Sequence, residues 1–253
     1  MAKRLTERQL TLFTDCEELS DAAAWFVIEK GKESTQARGI YTLALSGGKS
    51  SRRLFELLAE GPDHTQMPWE KTHLFWGDER CVPPTDPESN FGNAEAVLLS
   101  KVALPSENIH PVPVDQIEPS QAALLYEKTL RDLFQPKPGE WPIFDLILLG
   151  LGEDGHTASL FPRSQALRET TRWVVATAGG RPNLPRVTFT IPLLNQARNI
   201  LWVVVGAHKA AVLRDVLEGP PRTEDLPAQK ISPVAGTSHW FIDKVAAQLL
   251  TIV

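Results

Sequence analysis

Short apolar runs alternate with helix-forming stretches along most of this chain. That alternation restricts the fold more than any other property. Residues 40–45, 72–76, 144–149, 173–177, 187–191, 200–205 and 239–242 read as strands. Residues 15–30, 50–59, 93–101, 119–134 and 207–217 read as helices, the first with Leu19, Ala23, Phe26 and Val27 on one face. Pro119 sits at the start of its helix, where a missing N–H costs nothing. Asp243 is expected to cap a closing helix. Residues 77–90 read as a long polar loop, and Pro136, Pro138 and Pro142 form a stiff connector. Several strands are apolar throughout and so need cover on both faces. The fold class is α/β, a mostly parallel central sheet with helices on both faces. No internal repeat or composition shift divides the chain, so residues 1–253 are expected to form one domain.

Bulk properties exclude several classes of function. The chain has 253 residues, 42% of them hydrophobic, and a formal net charge of −5. An acidic chain is a poor nucleic-acid ligand, although positive charges gathered at one site still bind an anion. No run approaches the length of a membrane span, and the first fifteen residues lack the apolar core of a signal peptide. The two cysteines, Cys16 and Cys81, suit a reducing cytoplasm. The six histidines show no metal-binding spacing, so no metal is expected.

The densest chemistry follows the 144–149 run. Residues 149–156 read LGLGEDGH, a glycine turn that presents Asp154 and His156 at a strand end. Histidine titrates near neutrality and moves protons. Gly150, Gly152 and Gly155 match G-x-G-x-x-G, but Pro162 keeps any following helix short, and the position twenty residues past Gly155 is Val175. A dinucleotide site needs a helix and an acidic residue there, so that reading is rejected. The plainer alternative makes Asp154 a helix cap and His156 a structural histidine.

Two more strand ends carry polar residues. The 40–45 run exits into Ser46-Gly47-Gly48-Lys49-Ser50 and a helix. Free N–H groups, the helix dipole, hydroxyls and a lysine suit a phosphate. A nucleotide P-loop would need glycine where Leu43 stands. The alternative is a tight turn with a serine cap. The 72–76 run exits into Gly77-Asp78-Glu79-Arg80, whose charges serve acid–base work, orient a polyol or form a surface ion pair. Arg186, before a strand, and Lys209, opening a helix, are candidates to complete a phosphate site.

SGGKS, FWGDERCVPPTDPESNFG, DLILLGLGEDGHTASLFP, RVTFTIPLLN and GAHKA, in that order, resemble the 6-phosphogluconolactonases. The resemblance implies a Rossmann-like fold shared with glucosamine-6-phosphate deaminases. It implies hydrolysis of 6-phospho-D-glucono-1,5-lactone in the oxidative pentose phosphate pathway, with no metal or organic cofactor. His156 would then be the general base, Asp154 the group that orients the histidine or a substrate hydroxyl, and Arg80 the oxyanion donor, with Asp78 holding Arg80 or a sugar hydroxyl. Phosphate would sit on Ser46 to Ser50 with Arg186 and Lys209. The expected partner is a small phosphorylated sugar lactone, bound by a cytoplasmic monomer or small homo-oligomer. The deaminases are the main alternative, but their pattern places glutamate where this chain has Phe161, which transfers no proton. A non-catalytic sugar-phosphate sensor is the other.

Overall fold

The computed structural model describes residues 7–180 and 182–252. In chain order the elements are β1 (Glu7–Phe13), α1 (Cys16–Arg38), β2 (Tyr41–Leu45), α2 (Lys49–Glu60), β3 (Thr72–Trp76) and β4 (Asp78–Arg80). Then follow α3 (Asn90–Val97), β5 (Ile109–His110), α4 (Pro119–Phe134), β6 (Leu146–Leu149), β7 (Val174–Gly179) and β8 (Leu184–Phe189). The last are α5 (Ile191–Leu194), β9 (Asn199–Val204), α6 (Ala210–Leu217) and β10 (Thr237–Asp243).

Seven strands form the central sheet in the order β1-β10-β9-β6-β2-β3-β5. Every pairing in it is parallel. Both faces are covered, which explains the unbroken burial of β2 and β6. On one face the Tyr41 hydroxyl donates to the Val27 carbonyl of α1 at 3.2 Å. Ala44 points the other way, and so does its register partner Phe75. Phe75 meets Phe134 of α4 at 6.0 Å and Phe144 at 5.2 Å between ring centroids, so α4 lies on the opposite face from α1. Among the described residues, no helix is long and apolar enough to cross a membrane.

Several boundaries depart from the sequence expectation. The pattern gives no sign of β1: it lies at the sheet edge, and its half-exposed residues, with Leu12 43% exposed, carry no continuous apolar signal. α1 runs on past residue 30 to Arg38, carrying a polar last turn that closes at Gly39. The expected 173–177 and 187–191 strands do not join the central sheet. They become β7 and β8 of a three-stranded antiparallel sheet, completed by β4 from the expected polar loop. Residues 244–251 form turns rather than a helix. Asp243, at the end of β10, accepts from Ala246 N at 2.8 Å and also from Gly206 N at 3.1 and 3.0 Å.

The chain turns back on itself at β2. From β2 it crosses to β3 on one side, and later returns to β6 on the other. That reversal leaves a crevice at the carboxyl ends of β2 and β6, where open α/β sheets bind ligands.

Candidate active site

The crevice holds a cavity of about 300 Å³ lined by Ser46, Gly47, Gly48, Asp78, Arg80, Asn90, His156, Arg186 and Lys209, among others. Three strand ends and the start of α6 thus converge as their sequences suggest. The side chains of Lys49 and Ser50, also expected here, lie outside the described residues.

After β2 the chain enters α2 through Gly48, which offers no capping side chain. The first N–H groups of a twelve-residue helix therefore remain available, with the positive end of its dipole, to an anion in the crevice. Gly47 is demanded by crowding: a Cβ there would stand 1.7 Å from Asn90 Oδ1.

After β6 the glycine turn closes through Gly152 N to the His156 carbonyl at 2.8 Å. A Cβ on Gly152 would lie 2.1 Å from His156 Nδ1, so glycine lets the imidazole fold back over the turn. Asp154 Oδ1 accepts from His156 N at 3.1 Å and pairs with His156 Nδ1 at 2.5 Å. No helix begins at this point, which removes the helix-cap alternative for Asp154. Burial pushes the Asp154 carboxyl up, but the hydrogen bond and charge of His156 outweigh it and hold the group below the usual value. A carboxylate only accepts, so Nδ1 carries a hydrogen, and in the neutral ring the lone pair is on Nε2. Nε2 has no protein partner among the described residues, and the side chain is 30% exposed.

After β3 the three charges of Asp78-Glu79-Arg80 separate. Asp78 is buried and its Oδ2 accepts from Ser159 Oγ at 2.6 Å. Glu79 leaves the cavity. Its carboxylate accepts from the N–H groups of Arg80, Asn90 and Phe91 at 2.7, 2.8 and 2.7 Å. Burial raises its pKa against those bonds. Arg80 donates to the Glu88 carbonyl at 2.5 Å and lies 3.5 Å from the Glu88 carboxylate, while its Nε is buried without a partner. Asp78 and Arg80 form no ion pair, so the expectation that Asp78 holds Arg80 is corrected: Ser159 and Glu88 hold them separately.

Arg80 and Arg186 are register partners across β4 and β8. Arg186 is 5% exposed and, among the described residues, donates only to carbonyls, of Gly179 at 3.1 Å and Pro182 at 3.4 Å. Burial, followed by the charge of Arg80, lowers its pKa. Burial likewise lowers that of Lys209, against the pull of Glu153 and Asp154. Neither cation has a carboxylate in ion-pair contact among the described residues. Three cations at one cavity, two of them without an ion-pair partner among the described residues, make an anion site. Phe161 lies between the two halves: its ring centroid is 4.8 Å from that of His156 and 5.4 Å from the Arg186 guanidinium. Among the described residues, no three histidine, cysteine or carboxylate side chains gather as metal ligands.

Sequence reasoning misses Asn90, Ser159 and His208 at this site. Asn90 and Ser159 lie inside the family-like motifs, but as neutral residues without periodic signal they do not stand out.

The model of the glucosamine-6-phosphate isomerases/6-phosphogluconolactonase family matches residues 14–240. A 6-phosphogluconolactonase of Synechocystis sp. is 44% identical over 213 residues, covering 84% of this chain and 86% of that protein. The structure of 6-phosphogluconolactonase from Trypanosoma cruzi superimposes with a TM-score of 0.85 at 29% identity, covering 99% of this chain and 100% of that one. A monomeric glucosamine-6-phosphate deaminase has the same fold, with a TM-score of 0.78 at 20% identity over 96% of this chain and 100% of that one. The chain belongs to the family of glucosamine-6-phosphate isomerases and 6-phosphogluconolactonases.

Proposed function

We propose that this protein hydrolyses 6-phospho-D-glucono-1,5-lactone to 6-phospho-D-gluconate, the lactonase step of the oxidative pentose phosphate pathway. The observation that carries the reading is a histidine whose Nδ1 is committed to Asp154, in a cavity that also holds Arg80, Arg186 and Lys209. It joins a general base to an anion site, which a phosphorylated lactone requires.

His156 Nε2 takes a proton from water as the water oxygen attacks C1. Asp154 stabilises the imidazolium that forms. As the tetrahedral centre collapses, the C1–ring oxygen bond breaks and Nε2–H returns the proton to that oxygen, which leaves as the C5 hydroxyl. Arg80 faces the oxygen anion at C1. Asp78, with one carboxylate oxygen engaged by Ser159, has the other to accept from a sugar hydroxyl. The phosphate lies on the turn from Ser46 to Ser50, with Arg186 and Lys209 supplying charge. No step needs a metal or an organic cofactor. Two free cysteines, Cys16 and Cys81, accord with work in the cytoplasm.

Phe161 separates this reading from amino-sugar-phosphate deamination. An apolar ring packed on His156 cannot relay a proton to open a sugar. Proton release from freshly generated 6-phosphogluconolactone, corrected for spontaneous hydrolysis, tests the proposal. Catalysed release, with no ammonia from glucosamine 6-phosphate, is the expected result. Ammonia release at a comparable rate, or no acceleration of lactone hydrolysis, overturns it.

A further inference from the structure

We propose that Phe161 is a positioning residue of this site, its ring supporting both the His156 imidazole and the Arg186 guanidinium. Its effect on rates rests on the lactonase reading, whereas its hold on the imidazole is testable apart from that reading.

Phe161 is 6% exposed and does not itself line the cavity, whereas His156, Ala158 and Arg186 do. The ring therefore acts from behind the cavity wall, through residues that face the substrate. Its centroid lies 4.8 Å from that of His156, with the two planes tilted by 48°. A single hydrogen bond to Asp154 fixes one atom of the imidazole and leaves the ring free to swing about it. Packing against Phe161 removes that swing, so Nε2 keeps one direction. General-base work needs a fixed direction, because the proton moves over a short, aligned path.

The same ring serves the cation. The Arg186 guanidinium lies over it, 5.4 Å from the centroid, and Arg186 Nε donates to the Gly179 carbonyl at 3.1 Å. Gly179 in turn packs directly on Phe161: a Cβ there would stand 2.5 Å from the ring. An aromatic face attracts a cation without neutralising it, so the charge stays available to a phosphate. The backbone on either side of the ring is strained. Ala158 and Arg163, neither of them glycine, hold φ at 47° and 57°. Such residues persist where the surroundings over-determine them. Here Ser159 N donates to Thr188 Oγ1 at 3.2 Å, and Arg163 N to the Glu224 carbonyl at 2.8 Å. A phenylalanine that only filled the core would need no such turn. The strained turn delivers one ring to the place where base and cation meet.

The test compares the whole wild-type protein with Phe161→Leu, each carrying carbon-13 at the Cε1 of its histidines. Phe161→Leu keeps an apolar side chain and loses the ring face, a change of a kind that cores tolerate. The Cε1–H order parameter of His156 should be that of rigid structure in the wild type and should fall in the variant. On both 6-phosphogluconolactone and gluconolactone, kcat should fall about ten- to a hundredfold, because both need the base. KM should rise for the phosphorylated lactone alone, because only that substrate uses Arg186. Phe161→Met gives the same reading should the leucine variant fold poorly. A mobile imidazole in the wild type would overturn the proposal without any variant. So would an unchanged kcat in a folded variant, or a lowered kcat with the imidazole as rigid as before, which would reduce Phe161 to core packing. Failure of the wild type to hydrolyse 6-phosphogluconolactone would instead remove the lactonase reading, and the order parameter would still test the contact.

Discussion

The two ends of β2 and β6 are built from the same residue types and finished in opposite ways. At the amino ends, Asp145 is 3% exposed and fully engaged. Its carboxylate accepts from Thr42 N at 2.9 Å and Thr42 Oγ1 at 3.0 Å, and meets Arg38 at 2.7 Å and Arg198 at 3.4 Å. At the carboxyl ends, the groups stay open. Among the described residues, Arg80 Nε and Asn90 Oδ1 are buried without hydrogen-bond partners, and Arg186 donates to carbonyls and is in ion-pair contact with no carboxylate. Burial without pairing costs free energy at each of these atoms. The amino edge therefore stabilises the sheet, while the carboxyl edge gives up stability to a ligand that completes it. Variants at the two edges should separate folding from activity.

The largest effect belongs to His156. His156→Ala removes the base and should lower kcat by roughly 10²–10⁴-fold. Its side chain is 30% exposed and makes no bond that holds the sheet together, so the urea midpoint should stay at the wild-type value. Near wild-type turnover in a folded His156→Ala protein would dissolve the catalytic half of the comparison.

Arg186 and Lys209 come next. A charge-assisted contact to phosphate contributes about 1.5–3 kcal/mol. Lys209→Ala and Arg186→Ala should each cost about ten- to a hundredfold in kcat/KM on the phosphorylated lactone. Gluconolactone without phosphate never makes the contact, and its slow hydrolysis should hardly change in Lys209→Ala. Equal losses on both substrates would move these residues from the phosphate to the reacting centre or to stability. Phe161 gives a reason to expect a split between the two variants. Arg186 packs on that ring, so its loss should also disturb His156, whereas Lys209 stands apart from it.

Most of the carboxyl edge is legible in the sequence, because glycine turns after apolar runs place their polar residues at strand ends. Ser46, Asp78, Arg80, His156, Arg186 and Lys209 do line one cavity. What the sequence hides is pairing. The antiparallel β4–β8 contact puts Arg80 opposite Arg186 from a stretch that reads as polar loop. Glu79 and Asp78 are adjacent in sequence, yet alternation along β4 sends one to α3 and the other to the cavity. The edge strand β1 escapes notice because one exposed side weakens its apolar pattern, and tertiary pairing with β10 supplies the rest. Asp145 escapes for the opposite reason. A single acid before an apolar run looks like a loop residue until three distant partners, Arg38, Thr42 and Arg198, converge on it.

The smallest effect on turnover, and the clearest on folding, is expected at that acid. Asp145→Ala strands the buried Thr42 N–H and hydroxyl, an arrangement that costs about 1–3 kcal/mol. Arg38 and Arg198 are spared a larger penalty because their side chains are 36% and 46% exposed and turn to water. Asp145→Asn keeps an acceptor for Thr42 and loses the charge, so it should be destabilised less than the alanine variant. In both, kcat/KM on the phosphorylated lactone should match the wild type below the unfolding transition. Asp145 lies at the opposite end of β6 from the turn that carries Asp154 and His156. Urea titration read beside initial rates checks this. A fall in kcat/KM while Asp145→Ala is still fully folded would mean that β6 transmits strain along its length. The two edges would then be coupled, and the division between a stabilising end and a reacting end would fail.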